Sequence, residues 1–287
     1  DDWRTSLRIS NVNTKSGFFA DAHGLEVRMS DIDYDASRRD IDLPYHSVSH
    51  IFVSNHTEWR WNRGTLAADL GWQNNRQREY SEPVSHGYMP TPPDALERSF
   101  RKNTFTSAVN VRQAFGTSTL NMGANAECQV NRKGGWGFIL PDFERKAFGA
   151  YVTDRTVVNE NLILSGGIRY DYGDVNIHSY KDWFKTPTAD GDSVYMERSS
   201  DFSKRFSSIT WSTGINGRIG DFALKANIGK SFRMPIAKEL GMDGVNYSIF
   251  RYEKGNSGLR PEESYQIDAG VVFERGPVEA SFTPYAN

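Results

Sequence analysis

Hydrophobic and polar residues alternate with a period of two along much of the chain, and helical periodicity is almost absent. Leu164, Ile168 and Tyr170 fall on one side of such a segment, whereas Ser165 and Arg169 fall on the other. Segments near residues 66, 120, 209, 222 and 265 repeat the pattern. A period of two is typical of β-strands with one apolar face, so we expect an all-β protein.

Short and long connections alternate between these segments. Tight polar or glycine turns occur at 62–64, 115–117, 159–161, 219–221 and 275–277. Longer polar stretches lie between them, at 11–49, 78–101, 132–143, 175–205 and 232–262. Nothing in the architecture of a soluble sandwich requires short and long connections to alternate. An outer-membrane barrel does have this alternation, because its periplasmic turns are short and its extracellular loops are long.

The length of the strands and the position of aromatic residues agree with a membrane barrel. The expected strands have about 9–14 residues, enough to cross a bilayer when tilted. Trp59 and Trp61 stand beside a tight turn, and Tyr170 and Tyr172 lie toward a long loop, as in interfacial aromatic girdles. We therefore predict an antiparallel up-and-down transmembrane β-barrel, with a soluble antiparallel sandwich as the alternative.

We count about eleven strands, whereas bacterial single-chain barrels have even numbers. Either the count misses one strand or residues 1–287 are one barrel segment of a larger barrel, and we favour the segment. Alternation predicts the following lipid-facing residues: Leu162, Leu164, Ile168, Phe222, Leu224, Ile228, Ile267 and Val271. It predicts the following lumen-facing residues: Asn161, Ser165, Arg169, Lys225, Asn227 and Asp268.

Composition narrows the functional classes. The chain has 34 Lys and Arg against 36 Asp and Glu, a formal charge of −2, so nucleic-acid binding is not expected. Its mean hydropathy of −0.61 does not argue against a β-barrel, because barrel strands alternate. The single cysteine, Cys128, excludes an internal disulfide. No catalytic constellation is visible, and we expect neither an enzyme nor a bound cofactor.

Two sequence boxes flank the last long polar stretch. Ser231-Phe232-Arg233-Met234-Pro235 precedes it, and Asn256-Ser257-Gly258-Leu259-Arg260-Pro261-Glu262 follows it. They resemble the Phe-Arg-x-Pro and Asn-x-x-Leu-x-Pro-Glu boxes of the TonB-dependent outer-membrane receptors. The matching residues are Phe232, Arg233, Pro235, Asn256, Leu259, Pro261 and Glu262. Gly166-Gly167-Ile168-Arg169-Tyr170-Asp171 is also similar to a strand of that family.

The resemblance implies TonB-energised uptake of a scarce nutrient across the outer membrane of a Gram-negative bacterium. The implied partners are TonB, reached through a plug domain that this chain does not contain, an iron-chelate small molecule and outer-membrane lipid. Haem, cobalamin or another cargo of the same class is the alternative. A soluble ligand- or carbohydrate-binding module is the alternative from a different class.

The boxes also have a structural interpretation. Pro235 and Pro261 lack an N–H, so each ends strand pairing where the chain leaves the sheet. Arg233 and Glu262 are placed to pair across the base of the loop. On this interpretation the boxes shape the loop and touch no ligand.

The histidines favour a ferric siderophore over haem. Haem importers of the family carry a histidine between the two boxes, but residues 236–254 contain none. His46 and His50 stand four apart at the end of a long polar stretch. On a strand, that spacing separates them by about 13 Å, too far to share a metal ion.

Acidic residues near the N-terminus partly match a calcium loop. Asp31, Asp33 and Asp35 follow its opening, but Ala36 stands where such a loop requires glycine. We interpret this stretch as a solvated acidic surface, and the sequence assigns no residue of the chain to a metal ion.

Ligand contacts are expected from the long loops around 23–50, 80–98 and 236–255, because binding residues are concentrated on loops held by a rigid scaffold. Aromatic and arginine side chains suit a planar anionic chelate. The candidates are His46, His50, Tyr80, Tyr88, Tyr247, Phe250, Arg251 and Tyr252.

Overall fold

A computed structural model describes residues 2–17, 41, 43–85, 87–246 and 251–287. The main sheet runs in the order β1 (Trp3–Gly17), β2 (Tyr45–Trp61), β3 (Gly64–Tyr80), β4 (Leu96–Phe115), β5 (Ser118–Gly134), β6 (Phe143–Asn159), β7 (Leu162–Ile177), β10 (Phe202–Ile219), β11 (Phe222–Arg233), β14 (Glu262–Arg275) and β15 (Val278–Phe282). The short β16 (Tyr285–Ala286) also pairs with β14.

Every neighbouring pair in this sheet is antiparallel, so successive connections lie at opposite ends. All five expected tight turns lie at one end, which we call the turn end, and the long connections lie at the other, the loop end. Gly116, Gly220 and Gly276 each have a φ near +58° at the first position of a two-residue turn. Glycine adopts this conformation without strain, as type II′ hairpin turns require.

The strands are longer than the sequence predicted. β4 has 20 residues, and β1 and β2 extend well into the stretch 11–49 that was expected to be a loop. Backbone pairing does not depend on apolar side chains, so it continues between polar residues beyond the apolar part of each strand.

The two faces of the sheet are sorted as the alternation predicts. Leu164 pairs with Ile215, and Ile228 pairs with Ile267, on the face that we call the outer face. Arg169 and Asp268 lie on the opposite, inner face. Asn161 differs from the expectation, because it occupies the turn between β6 and β7 and belongs to neither face.

The inner face carries a hydrogen-bonded polar network. Arg169 donates to Asp171 at 2.6 Å and to Asn125 at 2.8 Å. Farther along the sheet, Asn227 donates to Asp268 at 2.7 Å. Paired polar groups on this face and apolar side chains on the other are the arrangement of a barrel wall. Among the described residues β1 does not pair with β15, so the sheet is open.

A small hydrophobic core lies on the inner face at the loop end. It consists of Phe143, Val175, Ile177 and Phe206 from the sheet, together with Ala237 and Leu240 from helix α1 (Ala237–Gly241). Strict alternation predicts polar residues at these inner positions. They are apolar because the loop after β11 folds back and packs α1 against them.

Two hairpins stand in stretches that the sequence predicted to be loops. β8 (Tyr180–Pro187) pairs with β9 (Ser193–Ser199), and β12 (Asp243–Asn246) pairs with β13 (Arg251–Lys254). Both lie at the loop end, outside the main sheet. Within the described part of the chain, no helix has the length and apolarity needed to cross a membrane.

Candidate functional site

A cavity of about 240 Å³ lies at the loop end of the sheet. Four segments enclose it: the β3–β4 connection, the β5–β6 connection, the β8–β9 hairpin and the start of β12. Its lining residues are Tyr88, Met89, Trp136, Gly137, Phe138, Asp182, Phe184, Thr186, Arg198, Asp243 and Gly244. Aromatic rings and charged groups therefore converge on one space.

Hydrogen bonds fix the walls of the cavity relative to one another. The Trp136 indole donates to the Asp94 carbonyl at 3.1 Å, and the Trp183 indole donates to the Trp136 carbonyl at 3.1 Å. These two bonds join the β3–β4 connection, the β5–β6 connection and β8. The rings are consequently held in place by backbone that belongs to different loops.

One charged pair stands in the lining. The Arg198 Nε donates to the buried Asp182 carboxylate at 2.8 Å. This bond holds the guanidinium at the cavity and neutralises the buried aspartate. An arginine held by one carboxylate keeps further N–H groups for an anionic ligand.

Lys133 lies next to the cavity, at the loop-end tip of β5 and beyond the part of that strand that would span a bilayer. Its Nζ is 3.9 Å from the centre of the Tyr180 ring, and that ring stacks on Phe138 at 4.3 Å. Burial lowers the pKa of Lys133 from 10.5 to about 8, against the opposing effect of Asp142 and Asp182. The lysine is thus partly uncharged slightly above neutral pH.

We expect Lys133 in the folded protein to react with an amine-acylating reagent with a midpoint near pH 8. After unfolding in denaturant, the midpoint should move toward 10.5. Between these values the unfolded chain binds the additional proton, so the contribution of Lys133 to stability rises with pH. Peptide mass spectrometry after pulse labelling measures both midpoints. Equal midpoints in the two states would contradict the assigned burial.

One of the proposed ligand residues lines the cavity, and a second contacts a residue of its lining. Tyr88 lines it and is 69% exposed. The Tyr252 hydroxyl donates to the Asp243 carboxylate, which is itself in the lining. Arg251, one residue earlier in β13, pairs with Glu253 at 3.0 Å. Tyr247 and Phe250 lie outside the described residues.

His46, His50 and Tyr80 were expected on loops, but the structure places them in strands. His46 and His50 lie on the same face of β2, and Tyr80 ends β3. His46 contacts Ser16 at 3.0 Å, and His50 contacts Asn75 at 3.4 Å. The prediction was wrong about their setting because β2 and β3 extend beyond the apolar positions.

The structure gives no metal site among the residues it describes. No group of three His, Cys, Asp or Glu side chains in residues 2–17, 41, 43–85, 87–246 and 251–287 could hold an ion. The acidic positions Asp31, Asp33 and Asp35 lie outside these ranges.

Arg233, a residue of the first sequence box, has a clear structural role. Its guanidinium makes two hydrogen bonds to Glu262, at 2.6 and 3.0 Å, as the expected pair across the loop base. A third bond reaches Glu239 at 2.9 Å, and Glu239 also accepts from the Ile236 N–H at 3.0 Å. The Arg233 hydrogen bond is the main cause that lowers the pKa of each glutamate.

The second box holds the other side of the same loop. The Asn256 N–H donates to the Glu239 carbonyl at 2.7 Å, and the Asn256 side chain accepts from the Gly258 N–H at 2.8 Å. Leu259 packs against the small hydrophobic core. Pro235 follows the end of β11, and Pro261 precedes β14. These contacts shape the loop.

A sequence comparison agrees with this architecture over the whole chain. The family described as "TonB dependent receptor-like, beta-barrel" matches residues 2–287. The chain belongs to this family. Receptors of this family are outer-membrane proteins, and membership excludes the alternative of a soluble sandwich. No curated protein matches the chain.

Solved structures show the fold of this TonB-dependent receptor-like barrel. The FrpB iron transporter from Neisseria meningitidis is 14% identical to this chain, with a TM-score of 0.62. The match covers 99% of this chain and 42% of the FrpB chain. The siderophore receptor PiuA from Acinetobacter baumannii is 12% identical, with a TM-score of 0.62, and the match covers 99% of this chain and 47% of the PiuA chain. The hemophore receptor HasR of Serratia marcescens, solved in complex with HasA and heme, is 15% identical, with a TM-score of 0.60. The match covers 84% of this chain and 39% of the HasR chain.

The TonB-dependent receptor-like chain thus spans less than half the length of these structures. The family to which the chain belongs is one of receptors, in agreement with the expectation that the chain is not an enzyme.

Sequence reasoning missed most of the cavity. Trp136, Phe138, Phe184 and Arg198 lie in stretches that we interpreted as connecting loops. The available signal was composition, because aromatic residues cluster at 136–138 and 183–184 within otherwise polar segments. Their convergence depends on two hairpins that the alternation did not predict.

Proposed function

We propose that this barrel belongs to an outer-membrane receptor that captures a ferric siderophore outside a Gram-negative cell. TonB would supply the energy for uptake by acting on a plug domain outside this chain. The iron chelate binds at the loop end, and the outer face of the sheet contacts lipid. Iron-transport receptors among the structural neighbours support the class of cargo.

The observation that carries the proposal is the cavity enclosed by the four loop-end segments. Its aromatic walls and Arg198 suit a planar, anionic chelate, since rings stack on ligand rings and guanidinium pairs with negative charge. The loop end is the extracellular end in barrels of this kind. The candidates Tyr88, Arg251 and Tyr252 lie around the same end and belong to the proposed site.

Haem is the second candidate, because HasR was solved with heme. The described residues that line the cavity include no histidine, the usual ligand of haem iron in proteins. A siderophore already saturates the iron with its own ligands and needs none from the protein. The lining therefore favours the siderophore.

Titration of the full-length receptor with several ferric siderophores and with haem tests the cargo. We expect a ferric siderophore to bind and the Tyr88→Ala and Arg198→Ala variants to weaken that binding at least tenfold, which is about 1.4 kcal/mol. Quenching of tryptophan fluorescence is a suitable readout because Trp136 is in the wall.

Tyr195→Ala is the matched control, since Tyr195 is an exposed tyrosine on β9 that does not line the cavity. It should change the affinity less than twofold. Tight binding of haem, with no binding of the iron chelates, would contradict the proposed cargo. Unchanged affinity in both cavity variants would contradict the proposed site.

A further inference from the structure

His178 lies where the chain leaves the main sheet for the β8–β9 hairpin. It follows the last residue of β7 and stands two residues before Tyr180, the first residue of β8. We call residues 178–179 and 200–201 the neck of this hairpin. β8 and β9 pair with each other in a sheet separate from the main sheet. The hairpin residues that line the cavity are Asp182, Phe184, Thr186 and Arg198.

Two carboxylates flank the imidazole ring of His178, one at each ring nitrogen. The Nδ1 atom lies 3.9 Å from the Asp201 carboxylate, which is in the connection between β9 and β10. The Nε2 atom lies 3.9 Å from the Glu144 carboxylate, which is at the loop end of β6. Arg132 and Lys146 are the cations that act on Glu144. The ring thus stands between the returning side of the neck and the neighbouring strand.

Only the protonated ring suits both carboxylates. A neutral imidazole has one N–H and one lone pair, so either tautomer directs a lone pair at one carboxylate. The imidazolium has an N–H on both nitrogens and can donate to both. The Nε2 atom is buried and has no hydrogen-bond partner among the described residues. The neck is therefore open in the structure, and a movement of about 1 Å on each side would close it.

The two carboxylates are held in their charged form. The Ser179 N–H donates to Asp201 at 3.0 Å, and this bond is the main cause that lowers the pKa of Asp201. Arg132 donates to Glu144 at 2.6 Å, and this bond is the main cause that lowers the pKa of Glu144. Histidine side chains change their charge between about pH 5 and 8. Of these three groups, His178 is consequently the one that titrates near neutral pH.

We propose that His178 positions the β8–β9 hairpin and that its protonation closes the neck, which strengthens cargo binding at the cavity. In the closed form the imidazolium donates to Asp201 and Glu144, and both bonds are charge-assisted. The closed form binds one more proton than the open form, so its population rises as the pH falls. The effect on the cargo rests on the proposed function, whereas the closing of the neck does not.

The neck acts on the cavity through the hairpin. The Trp183 indole bond to the Trp136 carbonyl and the stacking of Tyr180 on Phe138 already join the hairpin to the β5–β6 connection. The bonds of His178 would add a second attachment, to β6. A hairpin attached at both places loses less freedom when the cargo binds, so the affinity increases.

Hydrogen exchange in the full-length receptor, in detergent and without cargo, measures the closing of the neck. Rates at about pH 5.5 and about pH 7 are converted to protection factors, which removes the intrinsic pH dependence of exchange. This range lies below the pKa of Lys133, which is about 8. We expect the protection factors of residues 180–199 to be at least about threefold higher at the lower pH.

Four variants separate the charge of the ring from its shape. His178→Gln cannot titrate, so its protection factors should stay at the neutral-pH value of the wild type. His178→Arg has a permanent charge and should stay at the more protected value. Asp201→Asn keeps an acceptor for the Ser179 N–H and should reduce the pH response. His56→Gln is the matched control, because His56 is also half-exposed but bonds to Asp69 on the wall of the sheet at 2.7 Å. It should respond as the wild type does.

Titration with the ferric siderophore that binds the receptor is the second readout. On acidification over the same range, the affinity of the wild type should rise at least about threefold more than that of His178→Gln. This comparison cancels any protonation of the siderophore itself. Equal pH responses of these two proteins, or hairpin protection that is independent of pH in the wild type, would overturn the role of His178. Hairpin protection that follows pH in a receptor that binds no ferric siderophore would support the closing of the neck and contradict the proposed cargo.

Discussion

Replacing Ile228 with arginine is expected to lower the free energy of unfolding in a bilayer by about 2–4 kcal/mol. Ile228 lies on the outer face of β11 beside Ile267, about halfway between the turn end and the loop end of that strand. An arginine there would point its charge into hydrocarbon, where water cannot solvate it. Denaturant titration of the full-length receptor in vesicles, followed by tryptophan fluorescence, measures the loss.

The adjacent residue provides a matched control. Asn227 lies on the inner face and already donates to Asp268 at 2.7 Å. The Asn227→Arg variant places the same charge at the same depth, next to a carboxylate, so we expect a change of less than about 1 kcal/mol. If the two variants lost equal stability, the assignment of outer and inner faces would be wrong.

Replacing Leu240 with alanine is expected to release the loop between β11 and β14 from the sheet. Leu240 is 2% exposed and joins α1 to the core on the inner face. Truncating a buried leucine costs about 2–5 kcal/mol, and here the loss falls on the docking of one loop. Hydrogen exchange in the α1 backbone and in residues 251–259 should accelerate by more than tenfold.

Ile236→Ala is the control for the Leu240 variant, because Ile236 precedes the same helix and is 49% exposed. Its exchange should stay within twofold of the wild type. Exchange in β7 should not change in either variant, since that strand is held by β6 and β10. Unchanged exchange around α1 in the Leu240 variant would show that the bonds of Arg233 and Asn256 alone hold the loop.

The strand architecture was predictable because it follows from a short-range pattern. Alternation around Ile168 and Ile228, together with five tight turns, was enough to predict the sheet, the end of the sheet at which each connection lies, and which residues share a face. The pairing of Arg233 with Glu262 was also predictable, since both residues flank one loop. Each of these features depends on residues close in the sequence or on opposite sides of one connection.

The cavity was not predictable in the same way. Tyr88 was expected at the loop end, but Trp136 and Arg198 meet it only because separate connections converge there. His46 and Tyr80 show the complementary error, since polar strand ends look like loops when only apolar residues mark a strand. Contacts between loops depend on tertiary packing, which the period of the sequence does not encode.

The β8–β9 hairpin has the geometry of an exchangeable cassette. Ile177 and Phe202, the residues at which the chain leaves and rejoins the sheet, are direct cross-strand partners. Their Cα atoms are therefore only about 5 Å apart, and closing a longer or shorter insertion between them changes the entropy little. Evolution or protein design can replace residues 178–201, and with them Asp182 and Arg198, without altering the register of the strands in the main sheet. A scaffold built in this way can acquire new specificities by grafting while the strands that cross the membrane stay the same.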